Sequence, residues 1–343
     1  MTWPGATGTL SKARGMEDQR PPVVIFDEAN AWEAVSMVPD GEDLYQVDPG
    51  AAKLDQGILL HYLDGFIDAG AAGRLLSAHL LGSLDHEAVV TFDVDRLIDY
   101  RSRRPPMTYD KDHWESYEAP EIAIHQVRDS AGKTFLMLTG PEPDHEWERF
   151  TSAVAMVSSR LGAELVLGFH GIPMGVPHTR PLGVTAHGTT PELAAGSRQI
   201  VDRLQVPGSV ASLLELRLGE ENRSAGGFAV HVPHYLAQAA YPAAAVALLE
   251  CVTRTTGLAL PDEALRDAAQ RTDEEIARQV EGSDEISELV QALERQYDAF
   301  VDASGTEGLL AEPGAEMPTA EELGAQFERF LAEQQGRTDT PES

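Results

Sequence analysis

The chain has 343 residues, of which 56 are acidic and 26 are Lys or Arg, so its formal charge is −30. A surface this negative repels nucleic-acid backbones and anionic membranes, which excludes both as main partners. The single cysteine, Cys251, excludes an intrachain disulfide framework, a zinc cage or a Cys-x-x-Cys redox pair; it lies in the apolar run Ala243 to Val252, where a small core residue is expected.

The hydrophobic fraction of 42% is that of a globular protein. No window approaches 18 uncharged apolar residues, and Met1 to Arg20 lacks the apolar stretch of a secretory signal, so a flexible leader, no membrane span and a cytoplasmic location are expected. Pro21-Pro22 introduces a short edge strand, Val23 to Phe26. The apolar run Gly57 to Leu63 then passes through the Gly-rich segment 64–70 into the Ala/Leu-rich Ala71 to Leu81, which reads as strand, tight loop and helix. Ala88 to Phe92 is a strand leading into the polar and basic stretch Asp93 to Arg104. Ile122 to Val127 and Thr134 to Thr139 form a hairpin around a Gly-containing turn. A Gly-Pro-Glu-Pro break precedes a helix from Asp144 to Leu161, and Leu165 to Phe169 is the next strand. Helical patterns follow at Pro191 to Leu204 and Val210 to Leu218, then a last strand at Gly227 to Val232 and a helix at Pro242 to Thr255, with proline well placed at its first position.

From Pro261 onward the chain holds 22 acidic and 6 basic residues, so about half of the net charge is C-terminal. Thr272 and Glu275 read as a capping box, and Ile286, Leu289, Val290, Leu293, Tyr297 and Phe300 recur at helical spacing as a docking stripe. Thr319 to Gln335 reads as a short amphipathic helix. The expected organisation is a leader at 1–20, an α/β core at 21–260, a helical annex at 261–302 packed on the core, and an acidic, largely disordered tail at 303–343. The fold class is α/β, with a mostly parallel or mixed sheet flanked by helices.

Ligands of open α/β sheets bind outside the carboxyl ends of the strands. On this reading Asp64, Asp68 and Arg74 follow one strand and Arg101, Arg103 and Arg104 another. Glu142 and Asp144, then His170, His178 and Arg180, and finally His231 and His234 follow three more. The segment Gly65-x4-Gly70-x2-Gly73 fits neither the dinucleotide fingerprint nor the P-loop, and its acids oppose phosphate; a tight turn with close helix packing is expected. The basic island 101–106 suits either internal salt bridges or a small anion. His178 and Arg180, held by prolines, suit either acid–base work beside an oxyanion or the scaffolding of a turn or subunit contact. Histidines 170, 178 and 187 lack metal-ligand spacing, there is no H-E-x-x-H and no G-x-S-x-G, and no metal or cofactor is expected.

Four segments carry a family likeness: LLHYLDGFIDAGAAG at 59–73, YRSRRPP at 100–106, GPEPDHEWERF at 140–150 and VPHTRP at 176–181. Together they resemble the proteasome assembly chaperone two (PAC-two) family in its actinobacterial branch, over roughly residues 22 to 300. The resemblance implies a phosphorylase/hydrolase-like α/β fold similar to purine nucleoside phosphorylases, and homo-oligomeric assembly, a trimer by analogy of fold. Eukaryotic relatives bind proteasome α-type subunits, so a non-enzymatic chaperone with a protein partner is one implied function. The residues themselves leave a second open, an enzyme or sensor for a small anion such as a nucleoside or phosphate compound. The family's motifs have no assigned chemistry, so no catalytic residue is carried over.

Overall fold

The computed structural model describes residues 41–195 and 205–305. The expected leader, the strand at 23–26, most of the helix at 191–204 and the C-terminal tail with its helix lie outside these residues.

Ten strands and seven helices alternate along the described chain. The main sheet holds β1 (Tyr45–Val47), β2 (Gly57–Asp64), β3 (His86–Phe92), β6 (Ala123–Arg128), β7 (Thr134–Pro141), β8 (Ala163–Met174), β9 (Val184–Gly188) and β10 (Ser224–Pro233), in the order β1-β3-β6-β7-β2-β8-β10-β9. Its centre is parallel, with β2 between β7 and β8 and β8 beside β10, while both flanks are antiparallel. The mixed α/β sheet anticipated from the sequence is therefore present. Parallel strands are buried on both faces, which is why β2 and β8 are near-continuous apolar runs.

Alternation along β2 supplies two cores. Ile58, Leu60 and Tyr62 face α1 (Ala72–Ser83) and α5 (Pro242–Thr256), where Leu76, Leu80, Val246 and Leu249 complete one layer. Leu59 and Leu63 face α3 (Trp147–Arg160) and α4 (Val210–Glu220), with Phe150, Val154 and Leu214 in the other. Cys251 is buried in the first layer. The short α2 (Val94–Leu97) follows β3, and a separate two-stranded sheet, β4 (Met107–Asp110) with β5 (His113–Tyr117), stands apart from the main one.

The C-terminal helices are α6 (Glu263–Glu281) and α7 (Asp284–Gly305). Leu265, Ala269 and Ile276 dock α6 onto the α5 layer, and Val290 and Leu293 are buried on α7. The capping box expected at Thr272 is absent: Thr272 lies inside α6, and its hydroxyl donates to the Ala268 carbonyl one turn back. The strands also run longer than expected. β8 continues through His170 to Met174, β7 through Thr139 to Pro141 and β10 through His231 to Pro233, so His170 and His231 sit within strands and not after them. The helix expected from Asp144 begins at Trp147.

The Gly-rich turn is a tight connection. Gly70 has φ +67°, and a Cβ on Gly73 would stand 2.6 Å from the Tyr62 ring and 2.9 Å from the Phe169 carbonyl oxygen. Gly73 thus sets how closely α1 approaches β2 and β8. Gly73→Ala is expected to destabilise the protein by about 1–3 kcal/mol through overpacking against backbone, measured by equilibrium denaturation; an unchanged midpoint and slope would contradict this.

Candidate functional site

The carboxyl ends of β2 and β8 meet at one carboxylate, that of Asp68. Asp68 Oδ1 accepts from the backbone N–H of Gly73 and of Gly171, each at 2.9 Å, and Oδ2 accepts from Arg74 N at 3.0 Å and from the Tyr62 hydroxyl at 3.1 Å. One side chain thereby caps the first turn of α1 and ties it to β2 and β8. Burial, reinforced by Asp68 and Asp64, holds the Tyr62 phenol above its ordinary range, so it remains a proton donor.

A second set of charges locks the neighbouring loops. Arg103 donates to the carbonyls of Asp64 at 3.1 Å and Glu142 at 2.8 Å, and pairs with Asp144 at 3.3 Å. Asp144 also accepts from Asp99 N at 2.8 Å. The buried Glu142 accepts from Val210 N at 2.7 Å, placing its carboxylate at the N-terminus of α4; burial pushes its pKa up against the opposing pull of Val210 and Arg103.

Between these loops, α1 and the stems of the β4–β5 hairpin lies a cleft of about 560 Å³. Tyr62, Asp64, Arg74, Arg103 and Arg104 line it, together with Leu81, Pro106 and Pro120. Asp64 and Arg74 also face an adjoining 400 Å³ cleft beside Phe66 and Ile67. Among the described residues no ion pair forms on the guanidinium of Arg74 or Arg104. Arg101 is exposed and does not line the cleft.

The other expected residues lie elsewhere. His178 donates its backbone N–H to the Tyr235 hydroxyl at 2.8 Å, and its Nδ1 lies 2.7 Å from the same oxygen. Arg180 forks onto Asp298 of α7 at 2.8 and 2.7 Å and reaches Glu294 at 3.2 Å, while Tyr297 donates to the Pro181 carbonyl. The proline-stiffened loop is thus a latch for α7. His234 follows β10 and rings edge-on against Tyr235.

His170 and His231 belong to the face of the sheet that packs on α4. There a row crosses four strands in register: His61 of β2, Gly168 of β8, Gly227 of β10 and His187 of β9. A Cβ on Gly168 would stand 2.6 Å from the His61 ring, and one on Gly227 would stand 2.8 Å from the His187 ring, so each imidazole lies over a neighbouring glycine. His187 Nδ1 lies 2.8 Å from Glu215 of α4, and His231 Nε2 lies 2.8 Å from the Thr185 hydroxyl. Among the described residues, no group of three or more His, Cys, Asp or Glu is placed to hold a metal ion.

Sequence reasoning missed His61, Tyr62, Glu215 and Tyr235, and weighed His187 only as a metal ligand, for which its spacing is wrong. Their signal was positional: each faces a residue already singled out or a strand glycine, but only the register reveals it. Burial lowers His61 from its ordinary 6.5 to about 4. The unfolded chain therefore takes up this proton first as the pH falls, so the stability from neutral His61 is full above about 6.5 and lost on the way to 4. A shift of this size is worth about 3 kcal/mol. His61→Gln is expected to remove that part of the wild-type acid sensitivity, seen as convergence of the two unfolding free energies between pH 7 and pH 4; a constant difference across that window would contradict it.

A family model described as the PAC2 family matches residues 62–280. The Mycobacterium tuberculosis protein Rv2714, of unknown function, is 45% identical; the match covers 85% of this chain and 96% of that one, with a TM-score of 0.73. A protein of unknown function from Corynebacterium glutamicum is 38% identical over 76% of this chain and 98% of its own, with a TM-score of 0.72. The M. tuberculosis proteasome-assembly chaperone homologue Rv2125 shares the fold, at 24% identity, 68% and 99% coverage and a TM-score of 0.63. No curated protein matches the chain. The Gly-rich turn at Asp68, the basic loop at Arg103 and the latch at Arg180 all fall within the matched span, and the chain belongs to the PAC2 family.

Proposed function

We propose that the protein is a non-enzymatic assembly factor that acts by binding another protein, with proteasome α-type subunits as the first class to test. One observation carries this reading. The charged groups at the strand ends that could have done chemistry, Asp68, Arg103, Glu142, Asp144 and Arg180, are engaged in holding this chain's own loops and helices. A catalytic acid, base or nucleophile must be able to reach substrate, and groups saturated by backbone partners are poorly placed for it. Family membership supports the same reading, as does the fold shared with a proteasome-assembly chaperone homologue. A cytoplasmic, homo-oligomeric protein fits this role.

A second reading has its own support. Arg74 and Arg104 offer two guanidinium groups to one cleft, which suits a small anionic ligand such as a nucleoside or phosphate compound. The two readings separate cleanly. With purified actinobacterial proteasome α-subunits, the assembly reading expects saturable binding by calorimetry, and with phosphate, nucleosides and nucleotides at millimolar concentration it expects no rise in melting temperature. No α-subunit binding, together with a ligand-dependent rise abolished by Arg74→Ala, would replace it with the second.

A further inference from the structure

Two opposite charges at the strand ends share the same walls without pairing. Asp64 and Arg74 line both the 400 Å³ and the 560 Å³ cleft, as does Tyr62. Their backbones are pinned: the Asp64 carbonyl accepts from Arg103 at 3.1 Å and from Glu142 N at 2.8 Å, and Arg74 N donates to Asp68 at 3.0 Å. Their charged ends are left over. Among the described residues the Arg74 guanidinium makes no hydrogen bond or ion pair, and the Asp64 carboxylate has only a long contact from the Tyr62 hydroxyl at 3.4 Å. Elsewhere this chain pairs its arginines with carboxylates, as at Arg96, Arg149, Arg180 and Arg217. A guanidinium and a carboxylate held on fixed backbone, side by side and unused, form the two poles of a site.

The signs select what fits between them. The joined clefts hold the guanidiniums of Arg74, Arg103 and Arg104 and the carboxylates of Asp64, Asp68 and Glu118. A bare anion on Arg74 meets Asp64 and Asp68, and a bare cation on Asp64 meets the arginines, so a ligand of one sign is opposed by half of its surroundings. A ligand with an ammonium next to a carboxylate turns both poles into attractions. Guanidinium forks match carboxylates, and an ammonium donates to carboxylate and hydroxyl oxygens. The Tyr62 hydroxyl donates to Asp68 at 3.1 Å and keeps a lone pair that can accept from such an ammonium. The remaining walls of the larger cleft are apolar, from Ala78, Leu81, Ile98 and Pro106.

We propose that the joined clefts bind a free α-amino acid with an apolar side chain, its carboxylate on Arg74, its ammonium on Asp64 and its side chain against Leu81 and Pro106. An α-amino acid is the smallest molecule that carries both charges on one carbon, which suits two poles set around a single phenol. The inference rests on reading this cleft as a ligand site, and adds to that reading the requirement for both charges.

Calorimetry and thermal unfolding of the full chain test it with five probes: L-phenylalanine, L-leucine, N-acetyl-L-phenylalanine, L-phenylalaninamide and inorganic phosphate. The two amino acids at millimolar concentration are expected to bind and to raise the melting temperature. The acetyl and amide derivatives each lack one charge and are expected to bind at least about tenfold more weakly. Asp64→Asn and Arg74→Gln are expected to melt with the wild type in the absence of ligand, because neither charged end fastens another part of the chain, and each to weaken phenylalanine binding by about tenfold or more. Phosphate or N-acetyl-L-phenylalanine binding as tightly as phenylalanine, with Asp64→Asn indifferent, would overturn the amino-acid inference and leave an anion site. Phenylalanine binding unchanged in both variants would overturn the placement of the poles and with it the proposal. No binding of any of the five probes would overturn both the proposal and the reading of the cleft as a small-ligand site.

Discussion

The arrangement of the central strands depends on the carboxylate of Asp68. Its two oxygens accept four hydrogen bonds, from Tyr62 on β2, from Gly73 and Arg74 at the start of α1, and from Gly171 on β8. Each donor alone is an ordinary demand for a partner, but the three elements are brought together because one side chain answers all of them. The glycines follow from this. A Cβ on Gly171 would collide with the Ala69 carbonyl, so the approach that lets Gly171 reach Asp68 also forbids a side chain there.

The same economy of charge extends across the molecule. Asp129 accepts from Ala131 and Lys133 in its own turn and from Ala259 ahead of α6, so the β6–β7 hairpin fixes the start of the C-terminal helices. Arg180 holds α7 from the other side. Charges that a motif search reads as reactive are thus the fasteners of a chain whose net charge would otherwise push its parts apart. The proposed function accordingly rests on surfaces: the cleft where Arg74 and Arg104 make no ion pair among the described residues, and the exposed aromatic arm beside it.

Much of the fold was legible because periodicity reports burial. The strand at Gly57 is a near-continuous apolar run interrupted by His61, as a central parallel strand buried on both faces requires, and Pro242 marks the start of α5. The Thr-x-x-Glu pattern at 272 misled because a capping box has the same spacing as any i, i+3 pair inside a helix, and only the chain before Glu263 decides where the helix starts. The β4–β5 arm was invisible because its alternation is interrupted at Glu115; a bulge removes the period of two on which strand recognition rests. The candidate site was legible as a list of charged residues near strand ends. How they divide into staples, latch and open cleft was not, because pairing is decided by register and by which loops meet. The row from His61 to His187 joins residues 126 positions apart, a proximity that only the strand order β2-β8-β10-β9 creates.

The unfolding free energy of Asp68→Asn tests most directly whether this carboxylate holds the central strands together. An amide in that place keeps one acceptor oxygen and turns a donor toward backbone N–H groups, so the account predicts a loss of about 2–4 kcal/mol in denaturant unfolding. Stability within about 0.5 kcal/mol of wild type, combined with loss of partner or ligand binding, would contradict it by showing that Asp68 serves a bound molecule and not the fold.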